Sequence, residues 1–316
     1  MQDLKIVFIG TSEFVIPVLE ALHQNFNVVS VVTSPDAPIG RKYIITPSPI
    51  AKKAHELNIS VLKPENFDQS LINQLTNLNP DLFVVASYGH LIPKAILDIP
   101  KHGSLNIHPS KLPKYRGPSP IQSQILDRVK TSAVTIILMD EEMDHGPIIA
   151  QEEFKLSEQD TFEILHTKMF QAGAKLLIKI IPDFIEGELK PLAQNHAIAT
   201  FCDKVTKKSG YFDINSPPEP EKLDRMIRAY YPWPTAWTIW NGKVVKFLPN
   251  TSFSNLIGES RNMSKALTDV IDSRWSLSRI QIRGGNDSPF LVQMEGKKAV
   301  PLKNFLNGYP DFPIRF

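Results

Sequence analysis

The chain has 316 residues, 42% of them hydrophobic and 22% charged, with a formal net charge of +2 and a single cysteine, Cys202. This length suggests about two domains, and the composition is that of a soluble globular protein whose small charge does not by itself indicate nucleic acid. The sequence has neither an apolar run of about 18 residues nor an N-terminal signal pattern, and it excludes an internal disulfide, so we expect a cytoplasmic protein without a membrane partner.

The first half of the sequence alternates apolar strands with helices. In chain order, the patterns predict a strand at residues 4–10, a helix at 17–23, a strand at 28–33, a helix at 49–57 and strands at 81–86, 103–108 and 133–139. Ser48 is the expected N-cap of the second helix, with Pro49 at its first position. The strands are nearly continuous apolar runs, typical of a parallel sheet buried on both faces. This order predicts an α/β class with a Rossmann-like open sheet.

The second half changes character after a long helix predicted at residues 161–185. We expect a catalytic domain over residues 1–190, a polar linker over 191–209 and a smaller domain over 210–316. A short helix at 221–229 precedes alternating runs at 236–240 and 244–247, which the hairpin signal Asn241-Gly242 separates, and Gly284-Gly285 marks a later turn. The short strands predict an OB-like β-barrel.

The glycine after the first strand argues against one class of enzyme. The segment G-T-S-E-F that begins at Gly10 lacks the G-x-G-x-x-G spacing that brings backbone close to a dinucleotide pyrophosphate. An NAD-dependent dehydrogenase is therefore disfavoured, and Gly10 is interpreted as a tight strand-to-helix turn.

Asn106 and His108 stand two residues apart at the end of the strand predicted over 103–108. Period-two geometry places their side chains on the same face, and ligands of open α/β sheets bind beyond the carboxyl ends of the strands. An amide donor and an imidazole together suit acyl transfer, in which one group stabilises a developing oxyanion and the other handles a proton. Each residue taken alone is more often structural.

A cluster of four acids lies within residues 140–144, after the strand at 133–139. Its spacing does not fit an EF-hand loop, so we predict neither calcium nor another metal. Asp144, close to the glycine turn at Gly146, is instead expected near His108, where a carboxylate orients the imidazole and favours its protonated form.

Three motifs together resemble the signature of the folate-dependent formyltransferase family: Asn106-x-His108, Leu112-Pro113-x-Tyr115-Arg116-Gly117 and Asp144-x-Gly146. The resemblance implies transfer of a formyl group from 10-formyltetrahydrofolate to a primary amine, with Asn106, His108 and Asp144 as the catalytic trio. It also implies that Asn106 and protonated His108 stabilise the oxygen of a tetrahedral intermediate. Asp144 would hold His108 and assist proton removal through water, and the division of proton steps between these two residues stays open.

The resemblance also implies where the folate binds. Residues 86–93 are similar to the family's loop around the pterin ring, and residues 110–113 to its tetrahydrofolate-binding stretch. Lys111 stands where the family usually has leucine and His145 where it more often has threonine, and neither change removes a catalytic group. The implied folate-binding residues are Ser87, Tyr88, Gly89, Leu91, Ser110, Lys111, Leu112, Pro113 and Asp140.

A loop indicates the acceptor amine. Members of the family formylate methionyl-tRNA, amino sugars or glycinamide ribonucleotide, and others oxidise or hydrolyse folate. Residues 34–49 resemble the insertion loop of the tRNA-specific members, which implies that Arg41 and Lys42 contact tRNA phosphates or stack on an unpaired base. Residues 228–237 and 296–300 resemble the start and the end of the barrel with which those members bind tRNA, whereas 250–287 matches poorly.

These resemblances predict a monomeric enzyme of translation initiation that formylates initiator methionyl-tRNA. The nearest alternative is a sugar-nucleotide N-formyltransferase. A catalytically silent folate- or RNA-binding protein is a further alternative, which the intact trio argues against. A dehydrogenase is the most distant, because the glycine fingerprint is missing.

Overall fold

The computed structural model describes residues 3–39, 43–250 and 290–314, and the chain divides into two compact units, Met1–Val205 and Thr206–Phe316. Three predictions concern residues outside the described ranges: the tRNA contacts Arg41 and Lys42, the turn at Gly284-Gly285, and residues 251–287 of the poorly matching stretch. Among the described helices, none is long and apolar enough to cross a membrane.

The first unit is built on a seven-stranded sheet. Its strands and those of a separate hairpin are β1 (Lys5–Gly10), β2 (Asn27–Val32), β3 (Ala37–Ile39), β4 (Ile44–Thr46), β5 (Ser60–Leu62), β6 (Leu82–Ala86), β7 (Ser104–His108), β8 (Thr131–Leu138) and β9 (Ile148–Lys155). The sheet order is β5-β2-β1-β6-β7-β8-β9, parallel from β5 to β7 and antiparallel for β8 and β9, while β3 and β4 form a separate two-stranded sheet. The predicted α/β class with a mostly parallel, Rossmann-like sheet is confirmed.

Helices cover both faces of this sheet. They are α1 (Ile16–Asn25), α2 (Pro49–Glu56), α3 (Gln69–Asn77), α4 (Lys94–Leu97), α5 (Pro120–Leu126) and α6 (Phe162–Ile185). Ile6 and Phe8 of β1 pack into one core with α1 and α6, whereas Val7 and Ile9 pack into a second core with α3 and α4. Both faces of the strand are therefore buried, which explains its continuous apolar sequence. Ser48 caps α2 as predicted, accepting a backbone N–H at 3.0 Å.

The strand β7 presents polar side chains on one face. Leu105 and Ile107 belong to the core that α6 covers. Because successive residues of a strand point to opposite faces, Asn106 and His108 lie on the other face. The sheet thus places both side chains predicted to be catalytic on one side of one strand.

The second unit contains a four-stranded antiparallel sheet. Its elements are α7 (Pro220–Tyr230), β10 (Ala236–Trp240), β11 (Lys243–Pro249), β12 (Phe290–Met294), β13 (Val300–Pro301) and α8 (Leu302–Gly308). The strand order is β10-β11-β12-β13. The hairpin predicted at Asn241-Gly242 is confirmed, since Trp240 pairs with Lys243 and the two turn residues have φ of 49° and 73°.

His166 is a polar residue inside the first core. Its ring lies among those of Phe14, Phe162 and Phe170, with centroid distances of 4.2, 5.1 and 4.6 Å. Burial lowers the pKa of His166 from 6.5 to about 3, and within the described ranges its Nδ1 has no hydrogen-bond partner. The folded protein therefore keeps this imidazole neutral.

We expect His166→Leu to protect the protein against acid. Between pH 6.5 and about 3 the unfolded chain protonates this histidine and the folded protein does not, so the wild-type free energy of unfolding falls as the pH falls. The wild-type free energy of unfolding falls by about 1.4 kcal/mol per pH unit in this range, and that of the variant does not show this fall. Urea unfolding of both proteins at about pH 7 and about pH 5 measures it. A difference in stability that is the same at both pH values would contradict this expectation.

Candidate active site

Two central strands end at the same edge of the sheet. β6 and β7 are adjacent and parallel, with Val85 opposite Asn106. The loop after β6 begins at Ser87, and β7 ends at His108. Ligands of open α/β sheets bind at such carboxyl ends. The predicted folate loop and the predicted catalytic pair are therefore neighbours.

Asp144 joins Asn106 and His108 in one cluster. Its Oδ1 lies 3.3 Å from Nδ1 of His108 and accepts a hydrogen bond from Nδ2 of Asn106 at 3.4 Å. Its Oδ2 accepts the backbone N–H of Gly117 at 2.8 Å. The side chains of His108 and Asp144 are 4% and 13% exposed, so water screens their attraction little. The structure brings together the three residues predicted to be catalytic.

Asp144 reaches β7 through a connection that folds back. Because β8 is antiparallel to β7, its end at Leu138 lies opposite Leu105 and not beside the end of β7. The chain then turns tightly, since a Cβ added at Gly146 would lie 1.9 Å from the carbonyl oxygen of Leu138. Asp144 itself has φ of 50°, a left-handed conformation that is uncommon for residues other than glycine. The position of its carboxylate depends on this turn.

The surroundings of His108 favour its protonated form. Its Nε2 lies 2.9 Å from the backbone carbonyl oxygen of Tyr115 while Nδ1 faces Asp144, so each ring nitrogen meets an oxygen acceptor. A neutral ring carries one N–H and would leave one of these acceptors without a proton. Burial acts to lower the pKa of His108, but the charge and hydrogen bond of Asp144 outweigh burial and the pKa is raised. Burial likewise acts to raise the pKa of Asp144, but the charge of His108 outweighs it and the pKa is lowered.

Part of the predicted linker lines this cluster. Residues 200–202 run beside the stretch 113–117, where the backbone N–H of Arg116 donates to Thr200 at 2.9 Å and that of Cys202 donates to Arg116 at 2.8 Å. The approach is close, because a Cβ added at Gly117, whose φ is 118°, would lie 2.4 Å from the Cys202 carbonyl oxygen. Gln194 in the predicted linker also touches the cluster, although it belongs to none of the sequence motifs. A lone glutamine in a polar stretch carries no sequence signal of such a role.

The loop predicted to surround the pterin is largely exposed. Ser87 and Gly89 have φ of 47° and 83°, and a Cβ added at Gly89 would meet no neighbour within 4 Å. Leu91 is 64% exposed. The ring of Tyr88 is instead buried in the second core, 6.1 Å from the ring of Phe67. Of the predicted folate-binding residues Ser87, Tyr88, Gly89 and Leu91, Tyr88 therefore anchors the loop to the core through its ring.

The backbone of residues 110–113 is fixed by side chains from the sheet. Thr135 Oγ1 donates to the Ser110 carbonyl at 2.6 Å, and Gln151 Nε2 donates to the Leu112 carbonyl at 3.1 Å. The side chains of Ser110 and Leu112 are both buried. The backbone carbonyl and N–H groups of Ser110 and Leu112 are therefore all paired within the protein.

The remaining predicted folate contacts lie at the surface. Lys111 is exposed and its Nζ lies 2.6 Å from Glu153, while Pro113 is half-buried. Asp140 is bound by Nδ1 of His145 at 2.6 Å. In the part of the chain that the structure describes, no group of three or more His, Cys, Asp or Glu side chains is placed to hold a metal ion.

Comparison with known proteins matches the chain over most of its length. A family model described as formyl transferase matches residues 4–181, and one described as formyl transferase, C-terminal domain, matches residues 204–310. A methionyl-tRNA formyltransferase of Halalkalibacterium halodurans is 37% identical over 310 residues, which cover 96% of this chain and 95% of that protein.

Solved structures share the fold at lower sequence identity. An N-formyltransferase from Helicobacter canadensis, in complex with folinic acid and dTDP-3-aminofucose, is 20% identical with a TM-score of 0.58, covering 79% of this chain and 89% of that one. The methionyl-tRNA formyltransferase from Clostridium thermocellum is 18% identical with a TM-score of 0.54, covering 78% and 92%. With both of its regions matched and a relative that shares more than a third of its residues along nearly the whole chain, this protein belongs to the formyltransferase family.

Proposed function

We propose that this enzyme transfers the formyl group of 10-formyltetrahydrofolate to the amino group of initiator methionyl-tRNA, giving N-formylmethionyl-tRNA for translation initiation. The observation that carries the proposal is the 37% identity to a methionyl-tRNA formyltransferase along 96% of the chain. The cluster of Asn106, His108 and Asp144 supplies the groups that this chemistry needs.

The exposed edge beside the cluster fits a folate as the formyl donor. Within the described ranges, the backbone N–H groups of Gly89 and Leu91 donate to no protein acceptor, so they can bind the polar edge of a pterin. The exposed side chains of Leu91 and Met143 add apolar surface for the aromatic parts of such a ligand. Backbone recognition of this kind constrains side-chain identity loosely.

The proposed reaction forms one bond and breaks another. The amine nitrogen attacks the formyl carbon, the bond from that carbon to N10 of the folate breaks, and a proton passes from the amine to N10. Asn106 directs one amide N–H to Asp144 and donates the other to the oxygen on which charge develops. A preorganised donor of this type contributes about 10²–10³ in rate.

In this scheme His108 contributes its charge. Both ring nitrogens already have acceptors, so the cation acts on the oxyanion through space and holds Asp144 in place. Asp144 takes the amine proton through an intervening water and returns it to N10. Its lowered pKa makes it a weak base, which suits a relay of protons better than complete abstraction.

The hairpin of β3 and β4 carries the loop proposed to bind the acceptor. Its strands pair from Ala37 with Thr46 to Ile39 with Ile44, and residues 40–42 connect them. The neighbouring side chains of Ile44 and Ile45 are exposed. Apolar surface next to a cationic loop suits the end of a tRNA acceptor stem, where unpaired bases adjoin phosphates.

We expect Arg41→Ala to lower kcat/KM for methionyl-tRNA about 10- to 100-fold, because one arginine contact to a phosphate or a stacked base contributes about 1–3 kcal/mol. The KM for the folate should not change. Steady-state kinetics with each substrate varied in turn measures both constants. The matched control is Arg128→Ala, which removes an exposed arginine that pairs with Glu158 at 3.1 Å. Unchanged kinetics with tRNA would remove Arg41 from the acceptor site.

The second unit is proposed to bind the tRNA and to complete an OB-like barrel. Its antiparallel sheet of β10 to β13 is compatible with such a barrel, and Lys207 and Lys208 stand near its first residues. We retain the division into residues 1–190, 191–209 and 210–316 as a proposal, with the qualification that residues 192–202 pair with the first unit. A monomeric state and a cytoplasmic location are proposed with it.

A transfer assay with two acceptors tests the proposal. The protein receives 10-formyltetrahydrofolate with methionyl-tRNA in one reaction and with an amino sugar nucleotide in another. We expect formyl-methionyl-tRNA and no formylated sugar. Product from the sugar alone would preserve the formyl chemistry and overturn the acceptor. The sugar nucleotide is included because the fold is similar to that of the Helicobacter canadensis N-formyltransferase. At 20% identity this similarity is one of fold alone.

A further inference from the structure

We propose that Gln194, locked by the buried guanidinium of Arg116, is a positioning residue that sets where Asp144 holds its carboxylate. The kinetic part of this inference rests on the proposed formyl transfer. The contacts that carry it belong to the first unit and do not depend on which amine is the acceptor.

Gln194 bridges the turn that carries Asp144. Its Nε2 donates to the backbone carbonyl of Asp144 at 2.9 Å and to that of Gly146 at 2.7 Å, so both of its amide protons are used. The φ of Asp144, 50°, is sparsely populated for a residue with a side chain and persists only where the surroundings fix it. The two hydrogen bonds lie on either side of His145 and fix the turn from outside.

Arg116 in turn fixes the glutamine. Its Nε and Nη2 donate to Oε1 of Gln194 at 3.2 and 2.7 Å, and its Nη2 also lies 2.9 Å from Nδ1 of His196. Arg116 is 3% exposed and Gln194 is 5% exposed, so water cannot replace these bonds if they are broken. Because the guanidinium occupies Oε1, the amide can have only one orientation, with Nε2 toward the turn.

Arg116 also governs the second contact of the carboxylate. The next residue, Gly117, donates its N–H to Oδ2 of Asp144 at 2.8 Å. Arg116 therefore helps to fix both parts of Asp144. It acts on the backbone through Gln194 and on the carboxylate through Gly117. A shift in either route changes the 3.3 Å separation between Oδ1 and Nδ1 of His108. Misplacement of reacting groups by about 1 Å can lower a rate about 10²-fold.

A purely structural role for Gln194 is the competing explanation, and Gln124 offers the matched comparison. Gln124 is also buried, and its Nε2 donates to the backbone carbonyls of Pro109 and Pro120 at 2.8 and 2.9 Å. It therefore has the same residue type and the same number of backbone bonds, but none of them reaches the turn of Asp144. Leucine at either position removes equivalent polar contacts.

The ionisation of His108 distinguishes the two explanations. The charged groups that act on it are Asp144, which raises its pKa, and Arg116, which lowers it, with the Tyr115 carbonyl as a further acceptor. If the turn loosens and the carboxylate withdraws, burial and Arg116 remain, and the pKa of His108 falls. Loss of packing elsewhere in the unit would not produce this change.

The experiment compares Gln194→Leu, Gln124→Leu and the wild-type protein. The pKa of His108 is measured by NMR titration of the full chain labelled with ¹⁵N-histidine, which has eight histidines to assign. Thermal unfolding and the pH profile of kcat are measured beside it. For Gln194→Leu we expect a kcat about 10- to 100-fold lower, KM values within about twofold, a lower pKa of His108, and an alkaline limb of the kcat profile that moves to lower pH. Gln124→Leu should lose comparable thermal stability with the pKa of His108 unchanged.

Gln194→Met is the second variant, in case the leucine protein does not fold. It has a similar length, adds no charge near His108 and removes both donors to the turn, so the pKa of His108 should again fall. A wild-type pKa and pH profile in the folded Gln194 variants would overturn the inference. If the wild-type protein does not formylate methionyl-tRNA, the proposed function fails, and the titration of His108 still decides whether Gln194 positions Asp144.

Discussion

Asp144→Asn is expected to lower kcat about 10³-fold or more and to leave the fold intact. The new amide has the shape of the carboxylate, and its oxygen can accept the Gly117 N–H that now binds Oδ2 at 2.8 Å. Its NH₂ group can donate to Nδ1 of a neutral His108, and the one contact given up is the 3.4 Å hydrogen bond from Nδ2 of Asn106. The change therefore removes charge with little loss of packing.

The charge is what the reaction needs. Without the carboxylate, burial lowers the pKa of His108, and the ring becomes neutral near neutral pH. The oxyanion then loses the nearby cation, and the amine loses the group that relays its proton. General acid–base groups contribute about 10²–10⁴ in rate, and the electrostatic loss adds to this.

Single-turnover kinetics with 10-formyltetrahydrofolate measures the loss, and Asp160→Asn provides the control. Asp160 is also a buried carboxylate, and its Oδ1 lies 2.6 Å from Nζ of Lys168, away from the cluster at Asp144. The control should lose stability and keep its rate, whereas Asp144→Asn should keep its thermal unfolding temperature within a few degrees. A rate for Asp144→Asn within about tenfold of wild type would remove Asp144 from the proposed chemistry.

The parts of the fold that sequence patterns predict are those in which each residue carries its own signal. From Ile6 to Ile9, β1 is buried on both faces, so all four of these positions are apolar and the pattern identifies the strand without knowledge of its neighbours. The shared face of Asn106 and His108 follows from the period of a strand alone. The hairpin at Asn241-Gly242 is equally local, because its turn requires residues that tolerate positive φ.

The remainder depends on tertiary structure. The three-residue strand β5 is too short for a period to appear, and α3 and α4 bury only part of their surface. The apolar run of β8 does not reveal that the strand is antiparallel to β7, and this direction decides how Asp144 reaches His108. Similarly, Tyr88 lies in a loop that matches a ligand-binding motif, yet its ring packs into the core.

Gln194 illustrates the limit most clearly. It lies in a polar stretch whose composition indicates a linker, and the composition is explained by a chain that runs over the surface. Its importance comes from three contacts with residues far away in sequence, at Arg116, Asp144 and Gly146. No local pattern could encode those contacts, because they depend on the pairing of residues 200–202 with residues 113–117 and of Leu192 with Ile148.

Asn106→Ala should lower kcat about 10²–10³-fold with little change in the KM of either substrate. The variant loses a hydrogen-bond donor placed for the oxyanion. That donor stabilises the transition state more than it stabilises the bound substrates. The Asp144–His108 pair loses only the 3.4 Å hydrogen bond from Asn106, so the pKa of His108 should stay raised, unlike in Asp144→Asn. Steady-state kinetics and the titration of His108 together measure the difference, with Asn73→Ala, on the exposed surface of α3, as the control.

The double variant Asn106→Ala/Asp144→Asn then shows whether the two residues act as one unit. In the proposed scheme both side chains support the charge distribution of a single transition state, and the amide is oriented by the carboxylate that it touches. Groups that act as a unit give losses far below the product of their separate effects. We therefore expect the double variant to be little slower than Asp144→Asn alone. A loss equal to the product of the two single losses would mean that Asn106 and Asp144 serve independent steps, and the relay through Asp144 would then have to be separated from oxyanion binding.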